Sequence, residues 1–296
     1  IDKKMFIILF SNMIEHFSNV HSNGSAIKNI PPFADLKPTI TLVPNIEEQK
    51  RIVSVFANID NLITLNQRKL DKLKVLKKAY LAKMFPSVGE SKPRLRFSGF
   101  NDDWEERNLS ELCIKFTDGD WIESKDQSNE GVRLIQTGNV GVTRYLDKSS
   151  NQKWISIETF ERLHCKEIFP GDILISRLPE PAGRACIVPD LGIKMITAVD
   201  CTIVRTKPEV SNKYIVQYLS TEQYFNEVNT CLAGGTRQRI SRSNLSKFIV
   251  AIPKNHSEQK LIGKIFENID NLITLHQRKL EKLQNLKKAY LNEMFV

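Results

Sequence analysis

Three arginines and a glutamine crowd into one seven-residue stretch, Thr236-Arg237-Gln238-Arg239-Ile240-Ser241-Arg242, directly after Gly234-Gly235. Residues 228–257 hold five basic side chains (Arg237, Arg239, Arg242, Lys247, Lys254) and no acid. These residue types suit base-edge and phosphate recognition. Arg bridges guanine O6 and N7, Gln pairs with adenine N6 and N7, and spare cations hold phosphates. Three arginines without an acid close by in sequence exceed what solubility asks for, so Thr236, Arg237, Gln238, Arg239 and Arg242 are the leading candidates for DNA contact. Asp118-Gly119-Asp120-Trp121 and Gln136-Thr137-Gly138-Asn139 place aromatic, amide and hydroxyl groups on turns. Trp121, Lys125, Gln136 and Asn139 join the candidate set on that ground, with core packing as the alternative for Trp121.

Catalytic constellations are missing. The sequence has no G-x-x-x-x-G-K-[ST] and no G-x-G-x-x-G to cradle phosphates. Asn29-Ile30-Pro31-Pro32-Phe33 resembles the Asn-Pro-Pro-Phe/Tyr motif of adenine methyltransferases, but Ile30 splits it and no Gly-rich loop precedes it. Nuclease-like E-x-K triplets at Glu90–Lys92 and Glu123–Lys125 are what chance supplies to a chain with 20 Glu and 28 Lys. Five cysteines (Cys113, Cys165, Cys186, Cys201, Cys231) never adopt C-x-x-C spacing and form no zinc set with the histidines. Reduced thiols in a cytoplasmic protein fit them better than a disulfide framework. No metal and no cofactor of its own is expected. The longest apolar run, Met5 to Phe10, is far short of the ~20 residues that span a bilayer. Ser11, Asn12 and Glu15 interrupt it, and no cleavage site follows.

Positioning such groups needs a core, and 296 residues with 41% apolar and 26% charged side chains can build one. Net charge is +9, unevenly spread. Residues 46–86 carry nine bases against four acids, and 256–296 carry seven against five. The stretch 93–253 is neutral overall yet segregated, with ten acids and three bases in 101–130. A neutral domain with one basic edge can still grip a phosphate backbone.

Self-similarity at a spacing of 210 residues organises the chain. Asn58 to Leu65 recurs letter for letter as Asn268 to Leu275, and 46–85 matches 256–295 at 27 of 40 positions. Each copy reads as one long helix of roughly 60 Å. Asn45 and Asn255 stand as N-caps, with Glu48 and Glu258 three residues on. Apolar residues step by four and three: Ile52, Phe56, Ile59, Ile63, Leu70, Leu73, Tyr80 and Met84, then Ile262, Phe266, Ile269, Ile273, Leu280, Leu283, Tyr290 and Met294. Such a stripe is a coiled-coil seam. Asn66 and His276 interrupt it at matching positions, where polar residues fix register. Leu62, Leu65, Leu76 and their copies Leu272, Leu275 and Leu286 widen the apolar face, which predicts that helices from another subunit pack onto the pair.

The expected domains are 1–44, 45–86 (first helix), 87–254 (a globular domain) and 255–296 (second helix). Short β-rich runs at 132–135, 172–175, 201–204 and 248–250, with helices near 157–164 and 211–229, make the globular part mixed α+β. Gly24-Ser25 and Ile40-Thr41-Leu42-Val43-Pro44 parallel Gly235-Thr236 and Ile249-Val250-Ala251-Ile252-Pro253, so residues 1–44 read as the tail of a second such domain whose front is lacking.

Several ordered pieces carry a family resemblance. They are Leu95-Arg96-Phe97-Ser98-Gly99-Phe100, Asp102-Asp103-Trp104, Gly119-Asp120-Trp121-Ile122, Leu134-Ile135-Gln136-Thr137-Gly138-Asn139-Val140, Gly171 to Ile175, Gly235-Thr236-Arg237-Gln238, and the Glu-Gln-Lys-led helices. In this order they resemble the specificity (S) subunits of Type I restriction–modification enzymes. The resemblance implies an α+β fold, in which a target recognition domain sits between two spacer helices forming an antiparallel coiled coil. It also implies a non-catalytic role: reading a half-site of bipartite double-stranded DNA and docking modification (methyltransferase) subunits. The restriction subunit is then engaged indirectly, while S-adenosylmethionine and ATP are used by partner subunits. Residues 1–44 would be the remnant of a first recognition domain, with Ile27 where a Gln is expected, and self-association could restore a second domain. A structural coiled-coil adaptor whose globular domain binds protein is the alternative.

Overall fold

Two helices of 39 residues, near-copies in sequence, precede and follow the globular part of the chain. The structure, a computed structural model, describes residues 1–20, 43–235 and 238–294. The elements run α1 (Lys3–Val20), α2 (Ile46–Met84), β1 (Glu105–Asn108), β2 (Cys113–Asp118), β3 (Gln127–Ser128), β4 (Val132–Ile135), β5 (Lys153–Ile155) and α3 (Ile157–Arg162). They continue with β6 (Ile173–Ser176), β7 (Ala185–Ile187), β8 (Met195–Thr197), β9 (Cys201–Thr206), α4 (Asn212–Tyr218), α5 (Glu222–Thr230), α6 (Arg242–Lys247), β10 (Ile249–Ile252) and α7 (His256–Met294). The chain clusters into two compact units, Ile1–Lys74 with Leu272–Val296, and Val75–Asn271. Both cuts fall inside the long helices rather than at 86/87 and 254/255. The motifs noted at 24–25, 27, 29–33 and 40–42 lie outside the described residues.

In the first unit, α2 and α7 run antiparallel, because their partners climb one helix while descending the other. Lys287 Nζ reaches Asp60 Oδ1 at 2.6 Å, and His276 Nδ1 lies 2.9 Å from Asn66 Oδ1. The polar interruptions of the seam therefore face each other. Phe56, Ile59, Leu70 and Leu280 are buried, while Ile63, Leu73, Ile273, Leu283 and Tyr290 are half-buried. Leu62, Leu65, Leu272, Leu275 and Leu286 stay exposed, as does Met294. Asp2 Oδ1 accepts from the Lys4 and Met5 N–H groups and opens α1. Met5 and Leu9 then bury against Ile52 and Phe56, each full burial contributing about 1.5–3 kcal/mol.

The second unit repeats the helix contact with roles exchanged. Lys77 Nζ meets Asp270 Oδ1 at 2.6 Å, each partner standing 210 residues from its equivalent in the Asp60–Lys287 pair. Phe85 stacks on Phe266 at 5.8 Å and meets Tyr214 and Tyr218. Phe266 and Ile269 are buried, and Tyr80 is half-buried.

The recurring Glu-Gln pair serves architecture. Gln259 Nε2 donates to the Pro253 carbonyl while its Oε1 accepts from the Ser211 N–H at the start of α4. Gln49 does the same with Pro44 and with Asp2 at the start of α1. Glu258, fully buried, takes a bidentate pair from Arg96 at 2.7 and 2.9 Å. That pairing corrects the capping-box expectation for α7 alone; in α2 Asn45 Oδ1 accepts the Glu48 N–H at 3.0 Å, as expected of the cap. Asn255 Oδ1 accepts from the Ser257 N–H, and the Glu258 carboxylate is drawn to the guanidinium instead.

Three sheets make up the globular part: β1–β10, β2–β9–β6–β7, and β3–β5–β4–β8, where only the β4–β8 pairing is parallel among named strands. Ile135, Leu174, Cys186, Met195 and Ile203 join the two four-stranded sheets in one core, and Val132, Leu134, Ile155 and Ile196 form a second with Phe160 of α3. The single helix expected near 211–229 is two. Thr221 accepts the Tyr224 N–H at its side chain, capping a new helix after Tyr218.

Candidate nucleic-acid interface

The basic loop is a closed hairpin. Ala233 and Arg239 exchange both backbone hydrogen bonds (3.1 and 2.9 Å), and Gly234 supplies the positive φ of +114° that the turn needs. Thr236 and Arg237 lie outside the described residues. Ile240 is fully buried, and its N–H donates to the Arg177 carbonyl at 3.1 Å, anchoring the hairpin. Ser241 then caps α6 through the Asn244 N–H, so Arg242 opens that helix. Gln238, Arg239 and Arg242 are exposed.

A second turn closes beneath the loop. The Gly119 N–H donates to the Cys201 carbonyl, and the Asp120 N–H to that of Thr197, both at 2.9 Å. A Cβ on Gly119 would stand 2.4 Å from two carbonyl oxygens, so only glycine lets these strands meet. Asp120 accepts the Lys166 N–H at 2.7 Å and pairs with its ammonium at 3.0 Å. Trp121, next along, is 72% exposed, which removes the core-packing alternative for it.

Acids distant in sequence meet the arginines here. Arg242 Nε lies 3.8 Å from Asp118, Arg239 Nη1 lies 3.6 Å from Asp200, and buried Arg177 bridges the two carboxylates at 3.5 and 3.8 Å. The premise of an acid-free arginine cluster holds for the sequence and fails in space. Nothing in the sequence marks Arg177 or Asp200; only the pairing of β6 with β9 brings them together.

The other candidates divide. Lys125 is exposed but paired with Glu123 at 2.8 Å, and this contact holds the Glu123 carboxyl below its ordinary range. Asn139 is a correction. It is buried, its Oδ1 accepts the Gln136 N–H, and its Nδ2 donates to the Leu146 carbonyl, so its amide is spent inside the fold. Gln136, half-buried, caps the same short turn. Among the described residues no cluster of His, Cys, Asp or Glu could hold a metal ion, and no helix is long and apolar enough to cross a membrane. All five cysteines are unbridged.

The family model for the Type I restriction modification DNA specificity domain matches residues 101–285, more than half of the chain. The chain belongs to this family. It is 24% identical over 303 residues to the Type I restriction enzyme MjaVIII specificity subunit of Methanocaldococcus jannaschii, covering 97% of this chain and 68% of that one. It is 26% identical over 293 residues to the putative MjaX specificity subunit of the same organism, covering 95% of this chain and 63% of the relative. The chain thus spans about two thirds of the curated relatives it matches. Among solved structures it is similar to the S subunit from M. genitalium (TM-score 0.67, 16% identity, covering all of this chain and 73% of that one). It is also similar to the HsdS subunit from Thermoanaerobacter tengcongensis (TM-score 0.54, 19% identity, all of this chain and 70% of that one). The fold of this specificity-subunit family is the α+β globule with an antiparallel helix pair described above. Both relatives carry the name of a specificity subunit of a Type I restriction enzyme.

Proposed function

We propose that this chain reads one half-site of a bipartite duplex-DNA target through residues 87–254 and docks modification (methyltransferase) subunits along its two long helices. It works in the cytoplasm and holds no cofactor; S-adenosylmethionine and ATP are used by the partner chains, and the restriction subunit joins through them. The observation that carries the reading is that Gln238, Arg239, Arg242 and Trp121 are all exposed, with Arg239 and Arg242 lying 3.6 and 3.8 Å from the two carboxylates that Arg177 bridges. These are the side chains that pair with base edges, hold phosphates and stack. Exposed Leu62, Leu65, Leu272 and Leu275 supply an apolar strip on the helix pair for the docked subunits.

Co-expression with the cognate modification subunits, followed by mapping of methylated adenines in host DNA, tests this. Methylation at a recurring sequence that disappears in the Arg239→Ala, Arg242→Ala variant is the expected result. An intact complex that leaves the DNA unmethylated overturns it. The purified chain should also bind duplex with an affinity that falls steeply with salt, whereas a protein-binding adaptor would show no such slope.

A further inference from the structure

We infer that Asp118 and Asp200 are specificity-determining positioning residues, which hold Arg242 and Arg239 in the free protein and disfavour phosphate contacts relative to base contacts there. The inference rests on the DNA-reading proposal and deepens it.

Arg177 is buried and faces both Asp118 and Asp200, so one guanidinium meets two carboxylates. Its Nη2 donates to the Val199 carbonyl at 2.7 Å, and its own backbone N–H donates to the Asp200 carbonyl at 2.8 Å, which fixes it in place. Asp118 also accepts the Thr202 hydroxyl at 3.2 Å, a contact that adds no charge. One net negative charge is left over, and it faces Arg239 and Arg242.

The two outer pairs are loose. At 3.6 and 3.8 Å they are attractions between charges rather than hydrogen bonds, and Asp200 Oδ1 is buried with no hydrogen-bond donor at all. Both arginine heads are steered by the carboxylates while their N–H forks remain available to another acceptor. A guanine edge offers neutral O6 and N7, so the carboxylates leave that contact almost untouched. A phosphate brings a negative charge within a few ångströms of Asp118 and Asp200, and repulsion subtracts from its attraction to the arginines. The acids thereby weaken sequence-independent binding more than base reading. An acid that merely propped the fold would act alike on every duplex.

The test uses the full chain, a fixed arbitrary duplex, and a duplex pool with randomised bases. In the Asp118→Asn, Asp200→Asn variant the affinity for the arbitrary duplex should rise about five-fold. The salt slope should steepen, and enrichment of the preferred sequence from the pool should fall. Asp200→Glu should keep wild-type behaviour. If the double variant does not fold, Asp200→Asn alone should move the same readouts in the same directions. Affinities for arbitrary and preferred duplexes that fall together, or that stay unchanged, overturn the inference while leaving DNA reading intact. A wild-type chain that enriches no sequence and shows no salt dependence overturns the DNA reading itself, and the inference with it.

Discussion

Arg239 and Arg242 reach solvent from a hairpin pinned by Ile240 and from the first residue of a capped helix, so truncating them removes their loose pairs with Asp200 and Asp118 and leaves the backbone contacts in place. Each Ala substitution should lower discrimination between preferred and mismatched duplexes by about 1–3 kcal/mol, read by competition binding. The cysteines offer a different residue-scale check. Burial pushes the Cys186 thiol up to about 12 and Cys165 and Cys201 up to about 11. They are protonated at neutral pH and shielded, and the thiolate is the reactive form. Iodoacetamide at neutral pH should therefore label half-exposed Cys231 well before those three, as read by peptide mass spectrometry of the folded chain. The candidate list was legible as residue types but not as roles. Asn139 and Trp121 looked equivalent as polar or aromatic groups on turns, yet one is spent on backbone partners and the other faces water.

At the scale of elements, the helix pair was nearly all readable, because a four-three apolar period specifies a buried stripe whatever the partner is. Less readable was which residues meet across the seam. Asn66 faces His276, its own repeat equivalent, as antiparallel pairing near the centre of the two copies requires. Replacing either one by Leu leaves the other polar group facing an apolar neighbour and should lower stability by about 1–3 kcal/mol. The double Leu variant should recover that loss or exceed it, with looser register. Thermal unfolding of the single and double variants measures the coupling; additive losses would show that the two side chains do not interact. The break at Thr221 was invisible as a period. A single hydroxyl that accepts the Tyr224 N–H restarts the helix, and capping leaves little mark on hydropathy.

For the whole molecule, the repeat reaches further in structure than in sequence. Gln49 ties the start of α1 to Pro44, as Gln259 ties the start of α4 to Pro253, although α1 and α4 share little sequence. Each compact unit thus carries one copy of the same joint. The exposed leucines of the helix pair set the expectation for assembly. Leu62→Glu with Leu65→Glu should leave the melting temperature within a degree or two, because neither side chain is buried. It should abolish co-purification with the modification subunits; retained co-purification would move the docking surface elsewhere.

What this sequence determined by itself is whatever depends on local periodicity and on repetition: two long helices, their shared seam, a β-rich globule between them, and a loop of base-reading residue types. Tertiary structure alone decided the electrostatics of that loop. Asp118, Arg177 and Asp200 are separated by 59 and 23 residues and become neighbours only because β2, β9 and β6 pair in one sheet. Charges interact through space at a few ångströms, and spacing along the chain does not encode that distance.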